Sequence, residues 1–190
     1  MEILLVRHGR PALNTAGTIT GREIGDFARR YDVLAIIEPP PVRLTALTAS
    51  CGCIVSSDRP RARDSATLLA NGRRIEIDPE LREAALPESI GVPLPLPAGW
   101  WVAAARIAWW LNWCSSEESR SEAQARASRV ADRLSTSASV HERVVAVGHG
   151  VFNGLVGGAL KSRGWQGPLV MPCRCWSAAR YVISSSTARP

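Results

Sequence analysis

The chain has only three histidines, one lysine and an odd number of cysteines, five, and each shortage excludes something. Among 23 basic residues Lys161 is the single lysine, and the arginines are scattered, with doublets only at Arg29-Arg30 and Arg73-Arg74. A net charge of +6 with no basic run argues against nucleic acid as a partner. Five cysteines cannot all pair within one chain, which excludes a complete internal disulfide framework. Two C-x-C pairs are present, Cys51-Gly52-Cys53 and Cys173-Arg174-Cys175, yet structural zinc favours C-x2-C spacing and no histidine is near either pair. Reduced thiols are the expected state. No cluster of Asp and Glu points to another metal, so neither metal nor cofactor is expected. No apolar stretch reaches membrane-spanning length, and the N-terminus has Glu2 in place of a basic signal-type region. The expectation is a cytoplasmic protein with no membrane partner.

What is present fits one domain over residues 1–190, since 190 residues with a 46% hydrophobic fraction can bury a real core. Strand and helix patterns alternate. Residues 2–8, 52–57, 74–78, 143–148 and 175–183 read as strands, and 22–37, 59–71, 100–115, 117–138 and 150–161 as helices. Ser115-Ser116-Glu117-Glu118 supplies capping chemistry ahead of the 117–138 helix. Pro93, Pro95 and Pro97 mark an irregular stretch. The alternation predicts an α/β fold, a three-layer α/β/α sandwich with a mostly parallel sheet. Residues 184–190 read as a frayed tail.

The chemistry concentrates at two strand ends. Ile3-Leu4-Leu5-Val6 runs into Arg7-His8-Gly9, and Val144-Val145-Ala146-Val147 runs into Gly148-His149-Gly150. Open α/β sheets bind ligands at their carboxyl edge, where both histidines would lie. Arginine is a fixed cation suited to phosphate oxygens, and glycine lets the backbone turn and a ligand come close. Between these motifs, Ile54-Val55-Ser56-Ser57 leads into a helix with Arg61-Ala62 in its first turn, and Leu81-Arg82-Glu83 comes after the third strand.

In this order, from residue 3 to about 160, the elements resemble the histidine phosphatase superfamily, the phosphoglycerate mutase-like proteins. The resemblance implies that fold, with Asn14 in the loop after Arg7-His8-Gly9, and a helical cap or insert over about 84–140. It implies a metal-independent phosphomonoesterase in which His8 attacks phosphorus and carries the phosphoryl group, its tautomer held by a backbone carbonyl. Arg7, Arg61 and His149 would surround the phosphoryl oxygens, aided by the N-terminus of the Arg61 helix. Glu83 would protonate the leaving oxygen and then take a proton from water. Asn14 and Gly150 complete the substrate-binding set beside Arg7, Arg61 and His149. The partner implied is a phosphorylated small molecule or a phosphoprotein. Mutase-type phosphoryl transfer and a non-catalytic phospho-ligand module both stay open on the sequence.

Two departures from the family pattern concern the substrate side. Gly21-Arg22-Glu23-Ile24-Gly25-Asp26-Phe27 replaces the usual opening of the first helix, and Pro39-Pro40-Pro41 interrupts the chain beyond it. Asp58-Arg59 replaces Pro-Leu after the paired serines, bringing an acid and a base to the helix entrance. Five of seven tryptophans, Trp100, Trp101, Trp109, Trp110 and Trp113, crowd one predicted helix without sharing a stripe. That element reads as core, as an aromatic lid, or as the face of a homodimer.

Overall fold

The computed structural model describes residues 1–13, 17–114, 116–172 and 174–184. The chain runs β1 (Glu2–Arg7), β2 (Thr18–Ile19), α1 (Ile24–Asp32), α2 (Val42–Thr48), β3 (Cys53–Ser56), α3 (Pro60–Ala70), β4 (Glu76–Ile77) and β5 (Leu96–Pro97). Then come α4 (Ala98–Trp110), α5 (Arg120–His141), β6 (Arg143–Gly148), α6 (Gly150–Ser162) and β7 (Ala178–Val182). The main sheet has the order β4-β3-β6-β1-β7, parallel except for β7, which runs antiparallel to β1 at one edge.

Ile3, Leu4, Leu5 and Val6 are all buried because β1 is an inner strand covered on both faces, where a continuous apolar run replaces alternation. Side chains then divide by parity. Ile3, Leu5, Val144 and Ala146 face Val130 and Leu134 of α5 and Phe152 and Val156 of α6. Leu4, Val6, Val145 and Val147 face Leu44 of α2 and Ala62, Ala66 and Leu69 of α3. The result is the three-layer α/β/α sandwich.

A separate apolar cluster unites Ile24 with Trp101 and Ala105, with Ile19, Phe27 and Leu96 packed against it. It joins α1, α4 and the small β2–β5 sheet beside the sandwich. Within the 84–140 stretch expected as a cap or insert, α5 packs as a sandwich layer, because Ala127, Val130, Ala131, Leu134 and Ala138 form a buried stripe against the sheet, whereas α4 gathers with α1 and β2.

Several predicted boundaries move. The 22–37 helix ends at Asp32, and the chain beyond it is pinned to the loop after β1 by hydrogen bonds from Ala12 N to Ala35 O and from Ile37 N to Arg10 O. The helix expected over 100–115 stops at Trp110. Asn112 takes a left-handed φ of 56°, and Trp113 N reaches back to Ala108 O at 2.8 Å, a glycine-type stop made with asparagine. The long helix begins later than expected, with Ser119 as its cap and Glu122 closing the capping box. Among the described residues no helix is long and apolar enough to cross a membrane.

The cysteine pair separates across the sheet. Cys51 joins the α2–α3 face and Cys53 the α5–α6 face. Cys173 and residues 185–190 of the expected tail lie outside the described residues.

Candidate active site

The parallel pairing of β1 with β6 places Arg7 opposite Gly148, so the next residues, His8 and His149, emerge side by side at the carboxyl edge. Their ring centroids are 5.1 Å apart. β3 pairs with β6 from the other side, Ser56 opposite Val147, which brings Ser57 alongside His149. Both histidines are buried, His8 at 2% exposure and His149 at 1%.

Hydrogen bonding settles both tautomers. His8 Nδ1 lies 2.7 Å from Gly9 O, and a carbonyl only accepts, so Nδ1 carries the proton and Nε2 keeps its lone pair. Arg61 Nη2 lies 3.2 Å from His149 Nδ1, and a guanidinium only donates, so His149 accepts there and donates from Nε2 to Ser57 Oγ at 3.1 Å. Burial pushes His8 down to about 3, opposed by the Gly9 hydrogen bond and helped by the charges of Arg61 and Arg7. Burial also holds His149 well below the ordinary imidazole range, with Arg61 the next cause. The fixed positive charge belongs to the arginines.

Arg61 enters from the first turn of α3 and is 2% exposed. The last turn of α1 grips it in three ways. Tyr31 O accepts from Nη1 at 3.2 Å, Asp32 Oδ1 accepts from Nη2 at 3.1 Å, and the Tyr31 ring lies 4.5 Å from the guanidinium carbon. Its Nε is buried without a hydrogen-bond partner. Neither Asp58 nor Asp64 pairs with it. Asp58 is engaged by Arg82, which holds its carboxyl below the usual range. Asp32 also pairs with Arg59 at 2.9 Å.

Arg7 lies against Gly150, whose missing Cβ would stand 3.3 Å from Arg7 Nη1. Ser65 of α3 accepts from Gly9 N at 2.8 Å and donates to Arg61 O at 2.6 Å, locking the loop after β1 to the arginine helix. The Trp176 ring lies against Gly9, where a Cβ would fall 2.5 Å from it.

Glu83 is half-buried at the start of α6. Its Oε1 accepts from Phe152 N at 2.8 Å and its Oε2 from Val151 N at 3.1 Å. These are otherwise unsatisfied helix N-terminal donors, so the carboxylate caps α6 directly after His149-Gly150. Of its neighbours in sequence, Glu80 is drawn away to Arg129 and Arg133, and Glu88 to Arg29.

The structure therefore brings His8, Arg61 and His149 into contact, sets Arg7 beside Gly150, and places Glu83 on the same helix end. Asn14 lies outside the described residues. Sequence reading missed Tyr31, Asp32, Ser65 and Trp176. Only Ser65, one helical turn after Arg61, carried a local signal; the others arrive by tertiary contact.

The arrangement as a whole offers an imidazole lone pair near the buried Arg61 and the half-buried Arg7, and a carboxylate at a helix end. The sequence model of the histidine phosphatase superfamily (branch 1) matches residues 43–178. A comparison with curated proteins finds no match. Among solved structures, the chain is similar to a mycobacterial hydrolase at 23% identity and a TM-score of 0.62, covering 94% of this chain and 87% of that one. It is also similar to a mutant phosphoserine phosphatase from Entamoeba histolytica in complex with phosphoserine, at 13% identity and TM-score 0.59, covering 97% and 91%. A mycobacterial glucosyl-3-phosphoglycerate phosphatase is similar at 24% identity and TM-score 0.54, covering 83% and 78%.

Proposed function

The chain belongs to the histidine phosphatase superfamily, branch 1, and from that premise we propose that it hydrolyses phosphomonoesters of small molecules through a phosphohistidine on His8. The observation that carries this reading is the His8 tautomer. With Nδ1–H spent on Gly9 O, Nε2 presents a lone pair, and burial keeps the ring neutral at physiological pH. A lysine or serine at this place would need a base; a neutral imidazole does not.

The reaction runs in two displacements. His8 Nε2 attacks phosphorus, the P–N bond forms, and the ester P–O bond breaks as Glu83, which enters this step in its protonated form, delivers that proton to the departing oxygen and is left as the carboxylate. Water then attacks the phosphoryl group, Glu83 takes its proton, and the P–N bond breaks to release inorganic phosphate and neutral His8. Arg7 and Arg61 balance the charge spread over the phosphoryl oxygens. The buried Nε–H of Arg61 is a donor ready for one of them. His149, a hydrogen-bond donor through Nε2 while held by Ser57, changes partner to a phosphoryl oxygen. The arginines supply the charge that a metal supplies elsewhere, so this scheme uses none.

The test is turnover of an aryl phosphate in the presence of a chelator, followed by acid-quenched mass spectrometry after brief incubation with substrate. The phosphoryl group is expected on His8, and His8→Ala should lose both label and turnover. A label on His149 or on a serine overturns the assignment, and absence of turnover with any ester overturns the activity. Dependence on a bisphosphorylated primer would indicate a mutase.

A further inference from the structure

A cleft of about 360 Å³ opens between α4 and the start of α6, lined by Arg106, Ile107, Trp109, Trp110, Leu111 and Val151. We propose that this cleft holds the leaving group, and that the substrate is a phosphomonoester of an apolar alcohol, with an alkyl, aryl or prenyl chain. The proposal rests on the phosphomonoesterase reading and adds the substrate class to it.

Continuity with the catalytic edge is the first argument. Val151 follows His149-Gly150, and its backbone N–H is bonded to Glu83. Ala84, next to Glu83, packs with Trp109, and Val151 packs against the same cluster. An acid that protonates the leaving oxygen must stand on the leaving-group side of phosphorus. The chain attached to that oxygen therefore extends past Glu83 toward Val151, which lines the cleft.

The chemistry of the walls is the second argument. Among the described residues that line the cleft, Arg106 alone is charged, and it donates to Ala85 O at 3.3 Å. The buried Trp109 indole N–H is spent on Glu118 O at 2.8 Å. None of these described lining residues has a hydroxyl, amide or carboxylate side chain, so a polyol would find only the Arg106 guanidinium and the Trp110 indole N–H to replace its hydration. An apolar chain loses nothing and gains burial.

Preorganisation is the third. Ile107, Trp110 and Leu111 stay 59%, 44% and 46% exposed, so apolar side chains at the cleft are reachable by a ligand. Arg120 stacks on Trp110 at 4.2 Å, and Arg106 lies 5.9 Å from the Trp109 ring, so the indoles are held in place.

The test uses n-alkylphosphonates from ethyl to hexyl, measured by calorimetry, in parallel with turnover of the matching alkyl phosphates. Affinity and kcat/KM are expected to rise roughly fourfold per methylene, the usual gain for burying one. Ile107→Asp and Leu111→Asp, both at exposed positions, should flatten the series while circular dichroism reports an intact fold. Val42→Asp, exposed on α2 across the sheet, should leave the slope in place. A flat series in the parent protein, or an unchanged slope in Ile107→Asp, overturns the proposal. So does a parent dimer that Ile107→Asp dissociates without any chain-length effect, which assigns the face to a second copy. The two readings fail separately. Rising phosphonate affinity with no ester hydrolysed keeps the cleft and removes the phosphatase, whereas aryl phosphate turnover with a flat series does the reverse.

Discussion

At the scale of single residues, two positions carry roles that a motif cannot distinguish from packing. Gly9 is the acceptor that fixes His8, and the Trp176 ring occupies the space where a Cβ would go, with ring carbons at 2.5 and 2.6 Å. Trp176 is buried and its backbone N–H bonds His8 O at 3.2 Å, so it has little room to retreat. Gly9→Ala should therefore cost about 1–3 kcal/mol in urea unfolding, the range for overpacking, and reduce turnover by displacing the acceptor. A variant as stable and active as the parent would remove Trp176 from the site's support. Glu83 combines a helix cap with its proposed role as acid. Glu83→Gln should slow hydrolysis of an alkyl phosphate about 10²–10⁴-fold, and that of an activated aryl phosphate much less, because a good leaving group needs no proton. It should also lower stability by about 1 kcal/mol, since an amide NH₂ then faces one backbone N–H. Equal losses on both esters leave only the cap.

At the scale of elements, the last turn of α1 matters most. It grips Arg61 through the Tyr31 carbonyl, the Tyr31 ring and the Asp32 carboxylate. Asp32 thus anchors Arg61 and also sets a negative charge beside the proposed phosphate site. The two effects separate by substitution. Asp32→Asn keeps an acceptor for Arg61 but removes the charge, so competitive inhibition by inorganic phosphate should tighten about fivefold, the order of 1 kcal/mol for one nearby charge at the effective dielectric of a partly exposed site. Asp32→Ala removes the anchor as well and should forfeit part of that gain. Weaker phosphate binding in Asp32→Asn would mean that the charge serves the site indirectly. In sequence this turn is Arg29-Arg30-Tyr31-Asp32, indistinguishable from a solvated helix end. The helices whose apolar stripes face the sheet, α3, α5 and α6, were legible because burial against a flat surface imposes a helical period.

At the scale of the molecule, the two buried histidines make stability depend on pH. Unfolded, an imidazole takes its proton near 6.5; folded, His8 waits until about 3, and burial depresses His149 in the same direction. Between those values the unfolded chain binds more protons. Stability is thus fully present above about pH 7 and declines as pH falls, by up to about 1.4 kcal/mol per pH unit from each histidine. Urea midpoints at pH 7.5 and 5 should show the decline, and ring ¹⁵N shifts should report neutral His8 at both. An unchanged midpoint would place the rings in a more hydrated setting. Below the ordinary carboxylate range a second loss sets in, as Glu80 and Asp58 surrender partners that lower their values, Arg129 and Arg82 respectively.

The sequence by itself determined the inner strands, the chain order and the two strand-end histidines. Each is a local property: a strand buried on both faces reads as an unbroken apolar run, and a residue after such a run must lie at the sheet's edge. The tertiary structure alone decided that Arg7 aligns with Gly148, that Asp32 rather than Asp58 or Asp64 meets Arg61, and that Glu83 ends on the α6 backbone. It also divided the tryptophans, burying Trp101 and Trp109 in different clusters and leaving Trp110 and Trp113 at the surface. Those outcomes depend on which distant segments pack together. Periodicity tells a segment which face to bury, and it carries no information about what will cover that face.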